Sequence, residues 1–242
     1  MTTTGAGEAS GFRPTRWSLV ARAGDGDPAA RQRALGELCE LYWPPLYAWL
    51  RRSGHAEAAA LDLVQSFCTE LLDGGTLRGA DAGRGPFRHY LLGALRHFVA
   101  NTQRRNRAGK RGGGALHWSL DAAETRYAPI AARGDDPERA FERAWAQALL
   151  DRAATRLRRE YAERGRAEVL AALEPWLLGH DDAARQAEIA ARLGCSEGAV
   201  KVAVFRLRAR MRELVRDEVL QTVGDTGAVD DELRQLMAAL TG

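Results

Sequence analysis

Residues 186–206 read Gln-Ala-Glu-Ile-Ala-Ala-Arg-Leu-Gly-Cys-Ser-Glu-Gly-Ala-Val-Lys-Val-Ala-Val-Phe-Arg, and this stretch decides the fold. A helix-turn-helix needs a small residue where its two helices cross closely, which Ala190 supplies. Four positions later it needs a residue that tolerates positive φ, which Gly194 supplies. Ile189, Leu193, Cys195, Val200 and Ala203 fall where such a motif faces its own core. Ser196 is placed to N-cap the second helix, and Glu197 sits favourably against that helix's dipole. The second helix then projects Lys201, Val202, Phe205 and Arg206 outward, a set suited to phosphates and base edges in a major groove. An ordinary antiparallel helix pair with a glycine turn is the competing reading. The agreement at seven positions, together with the basic outer face, favours DNA binding.

Outward from this motif the 3.6-residue apolar period recurs, and no sustained alternation marks a strand, so the expected fold class is all-α. Asp27-Pro28 reads as an N-cap followed by a first-turn proline, opening a helix that aligns Leu35, Leu38, Cys39, Tyr42 and Leu46. Pro44-Pro45 should kink or restart it, since neither residue donates a backbone hydrogen bond. A helix over about 56–73 aligns Leu61, Val64, Cys68 and Leu71 and stops at Gly74-Gly75. Pro86 opens a helix to about 106 with an apolar stripe of Phe87, Tyr90, Leu91, Ala94, Leu95 and Phe98. Its opposite side carries Arg88, His89, Arg96, Gln103 and Arg104. Asp136-Pro137-Glu138 opens another, with Phe141, Trp145 and Leu149 on one face. Further helices are predicted at about 166–178, 182–193 and 196–218, with short ones near Trp17 and over 229–240.

Between Gly109 and Asp135 there is no periodicity, and a structureless stretch of roughly 25 residues is unusual inside one compact domain. Two domains are therefore expected: a disordered tail at 1–15, a helical domain at 16–107, a linker at 108–136, a second helical domain with the helix-turn-helix at 137–220, and a C-terminal extension at 221–242, read as solvated. The 242 residues suit that division, at roughly 100–200 per domain.

The 35 basic and 32 acidic side chains nearly cancel, but they are unevenly placed. Arg104, Arg105, Arg107, Lys110 and Arg111 form one block without an acid. Lys201, Arg206, Arg208, Arg210, Arg212 and Arg216 form a second against Glu197 and Glu213. Two separated basic blocks suggest two contacts with a polyanion. The clustering carries this reading; raw arginine content does not, because an Arg- and Ala-rich chain is also what a GC-rich genome produces. Cys39, Cys68 and Cys195 are odd in number and far apart, which excludes a disulfide scaffold or cysteine-rich zinc site and fits a reducing cytoplasm. No run approaches the ~20 apolar residues that span a bilayer, so membrane insertion is not expected. The first residues lack the basic and apolar segments of a signal peptide.

The two halves together resemble a bacterial RNA polymerase sigma factor of the extracytoplasmic-function group within the sigma-70 family. Asp62-Leu-Val-Gln-Ser-Phe-Cys-Thr-Glu-Leu-Leu is similar to the family's polymerase-binding helix. Phe87-Arg-His-Tyr-Leu-Leu-Gly-Ala-Leu-Arg-His-Phe-Val-Ala-Asn resembles its minus-10 segment, and Ser196-Glu-Gly-Ala-Val-Lys-Val-Ala-Val-Phe-Arg-Leu-Arg its minus-35 recognition helix. The resemblance implies a cytoplasmic transcription initiation factor that binds core RNA polymerase and promoter DNA, without metal or cofactor, and that can have an anti-sigma factor as a further partner. It implies polymerase contacts for Asp62, Gln65, Ser66 and Thr69. It implies minus-10 contacts for Arg88, His89, Arg96, His97, Asn101 and Arg104, where aromatic and basic groups suit unstacked bases and their backbone. It implies minus-35 contacts for Ser196, Glu197, Lys201, Val202, Phe205 and Arg206. The run from Phe141 to Asp182 is longer than the family's usual segment before the helix-turn-helix, and the tail from Gln221 has no counterpart.

Two other classes compete. An enzyme is disfavoured: His55, His89, His97, His117 and His180 show no HxxxH or HExxH spacing, no P-loop or GxSxG occurs, and Asp181-Asp182 adjoin at a helix start and read as caps. An operator-binding regulator with a sensing first half explains the helix-turn-helix equally well, but leaves the 62–72 and 87–105 helices unexplained.

Overall fold

The computed structural model of the chain describes residues 28–72, 85–107, 136–178, 183–223 and 226–241. These form α1 (Pro28–Arg52), α2 (Glu57–Leu72), α3 (Phe87–Arg107), α4 (Pro137–Glu163), α5 (Ala167–Leu173), α6 (Ala183–Leu193), α7 (Glu197–Leu220) and α8 (Val229–Thr241), with short 3-10 helices at Glu174–Leu178 and Thr226–Ala228. No strand occurs among the described residues, and the fold is all-α. The cap at Asp27, the helix near Trp17, the Gly74-Gly75 stop, the linker between Gly109 and Asp135, Asp181-Asp182 and the Leu35 side chain lie outside the described residues.

Local chemistry sets several boundaries. The Asp136 carboxylate accepts the Arg139 N–H at 2.8 Å, and Pro137 follows as the first helical residue of α4. At Pro175 the missing N–H breaks the α-helical ladder, and α5 gives way to the 3-10 helix. Pro44 and Pro45, by contrast, do not restart the first helix: α1 runs unbroken through both. Each proline forfeits one backbone bond, but Trp43, Leu46, Tyr47 and Leu50 around them are all buried, and Trp43 stacks on Tyr47 at 5.1 Å. Packing outweighs the local preference.

The first three helices close around aromatic contacts. Tyr42 of α1 meets the Phe87 ring edge-on at 5.4 Å, and Phe67 of α2 meets Phe98 of α3 at 5.5 Å. Cys39 and Cys68 are buried between α1 and α2. A thiol hydrogen bond between them, together with burial, pushes the Cys68 thiol well up, so it stays protonated.

α4 then joins this group to the rest. Ala48 of α1 and Ala140 and Ala144 of α4 are fully buried against one another, and with only methyl groups at the crossing the two backbones can approach closely. Phe141, Trp145 and Leu149, the predicted stripe, are fully buried in the same apolar core as Leu46, Leu91, Leu207 and Leu214. The helices on either side of residues 108–135 thus share one core here. On its other side α4 meets α7 through charge: Arg156 bonds Glu218 at 2.9 Å and Asp217 at 3.1 Å, and Arg152 bonds Glu218 at 3.2 Å.

The C-terminal segment is not the solvated extension expected. α8 packs on α4 and α7, with Val229 and Leu236 buried and Leu233 and Leu240 half-buried against the core. These apolar residues recur at helical spacing and give the segment a face to bury.

The alanine crossing predicts a size limit. Ala144→Leu should overpack it at a cost of about 1–3 kcal/mol. Ala162→Leu, on the exposed end of the same helix, should change stability by under ~0.5 kcal/mol. Urea unfolding of the two variants checks this; equal midpoints would show that the crossing tolerates bulk.

Candidate functional site

The turn between α6 and α7 follows its sequence closely. Gly194 takes φ +63°, the left-handed region, and the Cys195 N–H reaches back to the Ala190 carbonyl at 3.0 Å, closing α6. The Ser196 hydroxyl oxygen accepts the Ala199 N–H at 3.2 Å and starts α7. Ile189, Ala190 and Val200 are buried and Leu193 and Ala203 half-buried, as expected of core-facing positions. Cys195 is a correction: it is exposed. It stands between the left-handed glycine and the cap, where its N–H is turned inward to α6 and its side chain outward.

Ser196, Glu197, Lys201, Val202, Phe205 and Arg206 all lie at the surface, with Val202 49% and Phe205 69% exposed. At about 100° per residue, Lys201 and Phe205 share one side of α7 with Arg208 and Arg212, while Val202 and Arg206 lie a quarter-turn away. The first side walls a cleft of about 490 Å³, closed behind by Trp176 and Gln186. The cations of α7 divide by position. Arg208 donates to the Trp176 carbonyl at 2.8 Å and 3.0 Å, Arg210 forks onto Glu160 at 2.7 Å and 3.0 Å, and Arg216 pairs with Asp230 at 2.5 Å. The hydrogen bond from Arg210 holds the Glu160 carboxyl below its usual range. Arg208, Arg210 and Arg216 are thus tied to the fold, whereas Lys201, Arg206 and Arg212 are not held by a carboxylate among the described residues.

α3 divides in the same way, in a pattern the sequence did not announce. His97, Asn101 and Arg104 are exposed, without a partner among the described residues. The N-terminal half is neutralised. Arg96 pairs with Glu138 and lies over the Trp49 ring at 5.9 Å, and His89 approaches Glu142 at 3.4 Å. Arg88 is the largest departure from expectation, because it is only 2% exposed. Its guanidinium stacks over Trp145 at 4.2 Å, donates to Glu142 at 2.8 Å, and bonds Glu232 and Gln235 of α8. Arg88 is thus not on the exposed basic face expected of it, and as placed here its guanidinium is closed off from solvent by its ion-pair partners.

On α2, Asp62 and Ser66 are exposed, and Gln65 and Thr69 are half-buried on the adjoining side; the Thr69 hydroxyl donates to the Gln65 carbonyl at 3.0 Å. The four therefore line one outer strip of the helix. Sequence reasoning missed Glu138, Glu142, Glu232 and Gln235. The available signals were the acidic pair spaced one turn apart at the start of α4 and the single acid, Glu232, lying on the buried side of α8.

Among the described residues no group of His, Cys, Asp and Glu could hold a metal ion, and no helix is long and apolar enough to cross a membrane. Compared with known proteins, residues 18–217 match the model of the ECF sigma factor family. Neither the curated proteins nor the solved structures gave a match.

The carboxylates around Arg88 predict an acid-labile junction. Burial raises the Glu142 carboxyl, but the His89 hydrogen bond and the Arg88 charge together outweigh it, leaving it below its ordinary value of 4.5. A depressed carboxyl contributes stability above its unfolded value and loses it as pH falls through the lower folded one. Thermal midpoints followed by circular dichroism from neutral pH to about pH 3 should therefore fall below pH 4.5, and fall less steeply in Glu142→Gln. An identical pH profile in the two proteins would remove Glu142 from the account.

Proposed function

Because the chain belongs to the ECF sigma factor family, a family of transcription initiation factors rather than enzymes, we propose that it binds core RNA polymerase and directs it to a promoter with two separated elements. The observation that carries this reading is that the family match spans both halves, while among the described residues Arg104 of α3 and Lys201 and Arg206 of α7 are exposed and have no carboxylate partner.

The two units divide the work. In the unit at 16–107, the outer strip of α2 (Asp62, Gln65, Ser66 and Thr69) meets the polymerase. His97, Asn101 and Arg104 of α3 take the melted minus-10 strand, joined by His89 and Arg96 when their carboxylate partners let go. Unstacked bases and their phosphates need ring faces and positive charge together, and His97 beside Arg104 offers both. In the unit at 137–220, the N-terminal half of α7 enters the major groove of the minus-35 element. Val202 and Arg206 face base edges there, Ser196 and Glu197 set the helix start against the duplex, and Lys201 and Phe205 lie along the flanking backbone.

Two measurements test the division. Asp62→Ala with Gln65→Ala should weaken binding to core polymerase in a titration while leaving the helical circular dichroism intact, since Asp62 is exposed and Gln65 only half-buried. Unchanged affinity would take α2 out of the interface. Arg206→Ala should cost about 1–3 kcal/mol on the preferred upstream element and relax preference at one base pair, as loss of a bidentate guanine contact does. Transcription from a panel of single-base promoter variants reads this directly, and a variant indistinguishable from wild type across the panel would show that Arg206 reads no base.

A further inference from the structure

Three acids occupy the cationic side of α3. Glu138 holds Arg96, Glu142 holds Arg88 and His89, and Glu232, reaching in from α8, closes over Arg88. The first two are one helical turn apart on α4, and the third belongs to the last described helix of the chain. Glu232 is 2% exposed, as is Arg88, so each charge is buried only because the other is there. Gln235, one turn further along α8, adds a second bond to the same guanidinium. The Arg143 guanidinium donates to the Ala239 carbonyl at 3.3 Å, and Arg216 of α7 pairs with Asp230, so α8 is held at both ends as well as at its middle. Its outer face leaves Met237 57% exposed, so the helix is bound by one side only.

We infer that α8 is an intramolecular latch: its Glu232 stands where a nucleic-acid phosphate would stand, withholds Arg88 from DNA, and must lift before the first half can engage a strand with its full set of cations. This rests on the sigma-factor reading for its biological meaning, but the latch itself is a competition between one carboxylate and a phosphate for one guanidinium. A carboxylate already seated on Arg88, with no chain entropy left to lose, outcompetes a weakly bound oligonucleotide. The two halves of α3 then differ in kind: His97, Asn101 and Arg104 are always available, whereas Arg88 is released on demand.

The test uses the full chain and a fluorescein-labelled single-stranded oligonucleotide of random sequence, without polymerase. Glu232→Ala removes the carboxylate, and Glu232→Gln keeps its shape and an acceptor oxygen. Hydrogen exchange over 229–241 should speed up in both, more in the alanine variant. Oligonucleotide affinity should rise about tenfold in Glu232→Ala, within the range usual for coupling inside one molecule. Its salt dependence should steepen by about 0.7, the increment for one more phosphate contact on a single strand. Adding Arg88→Gln to Glu232→Ala should abolish the gain. Faster exchange with unchanged affinity overturns the latch, and so does unchanged exchange in both variants, or a gain that survives without Arg88. If the double variant fails to fold by circular dichroism, the exchange and salt-slope readings on the two single variants still decide. Run-off transcription by the wild-type chain with core polymerase is read separately: its absence would count against the sigma-factor reading and leave the oligonucleotide result standing.

Discussion

A guanidinium keeps its charge at any pH a protein meets, so an arginine taken out of water must bring its counter-charges with it. Arg88 imposes that constraint on this chain. It stands at the start of α3, directly after the phenylalanine that anchors the helix to α1, and meets a carboxylate from α4, a carboxylate and an amide from α8, and the face of Trp145. Three helices far apart in sequence are thereby fixed at one point. Without α8, Arg88 keeps only the Glu142 carboxylate and the Trp145 face.

The same helix, α4, serves two interfaces of opposite character. Toward α1 it presents alanines and large apolar side chains, and the contact is dry. Toward α7 it presents arginines and a glutamate, paired with Asp217, Glu218 and Arg210 at a partly wet margin. Exposed ion pairs each contribute little, so the second interface also depends on Leu157, Leu207 and Leu214 behind them. The charged margin sets orientation and register more than strength. That suits a helix whose N-terminal half must project at a defined angle from its support.

Much of this was legible in the sequence where the deciding physics is local. The cap at Asp136, the proline after it, the left-handed glycine at 194 and the hydroxyl cap at Ser196 depend on neighbours within four residues, and each took the expected form. Apolar stripes on α3 and α4 were legible for the same reason, since the helical period alone selects the buried face. The misreadings share another cause. Pro44-Pro45 carries a local signal to break, and contacts from residues remote in sequence overrode it. Cys195 looked core-facing by spacing, but one left-handed residue beside it rotated its side chain to solvent. Arg88 looked like a surface cation because its polar neighbours are one, and nothing within α3 foretells a glutamate 144 residues later. The surface positions on α2 and α7 were readable as exposed, whereas the pairing that separates free cations from committed ones requires the tertiary arrangement.

The rotation of Cys195 has a practical side. Of the three thiols in the chain, Cys39 and Cys68 are sealed between α1 and α2, and Cys195 alone faces solvent. It sits at the foot of α7, just before the Ser196 cap and five residues before the first buried residue of that helix, Val200, with Lys201 next in sequence. The unmodified sequence therefore carries a single exposed attachment point for a maleimide dye or spin label, placed beside the surface proposed to meet duplex DNA. Distances and mobilities at that spot can be followed without removing or adding a cysteine.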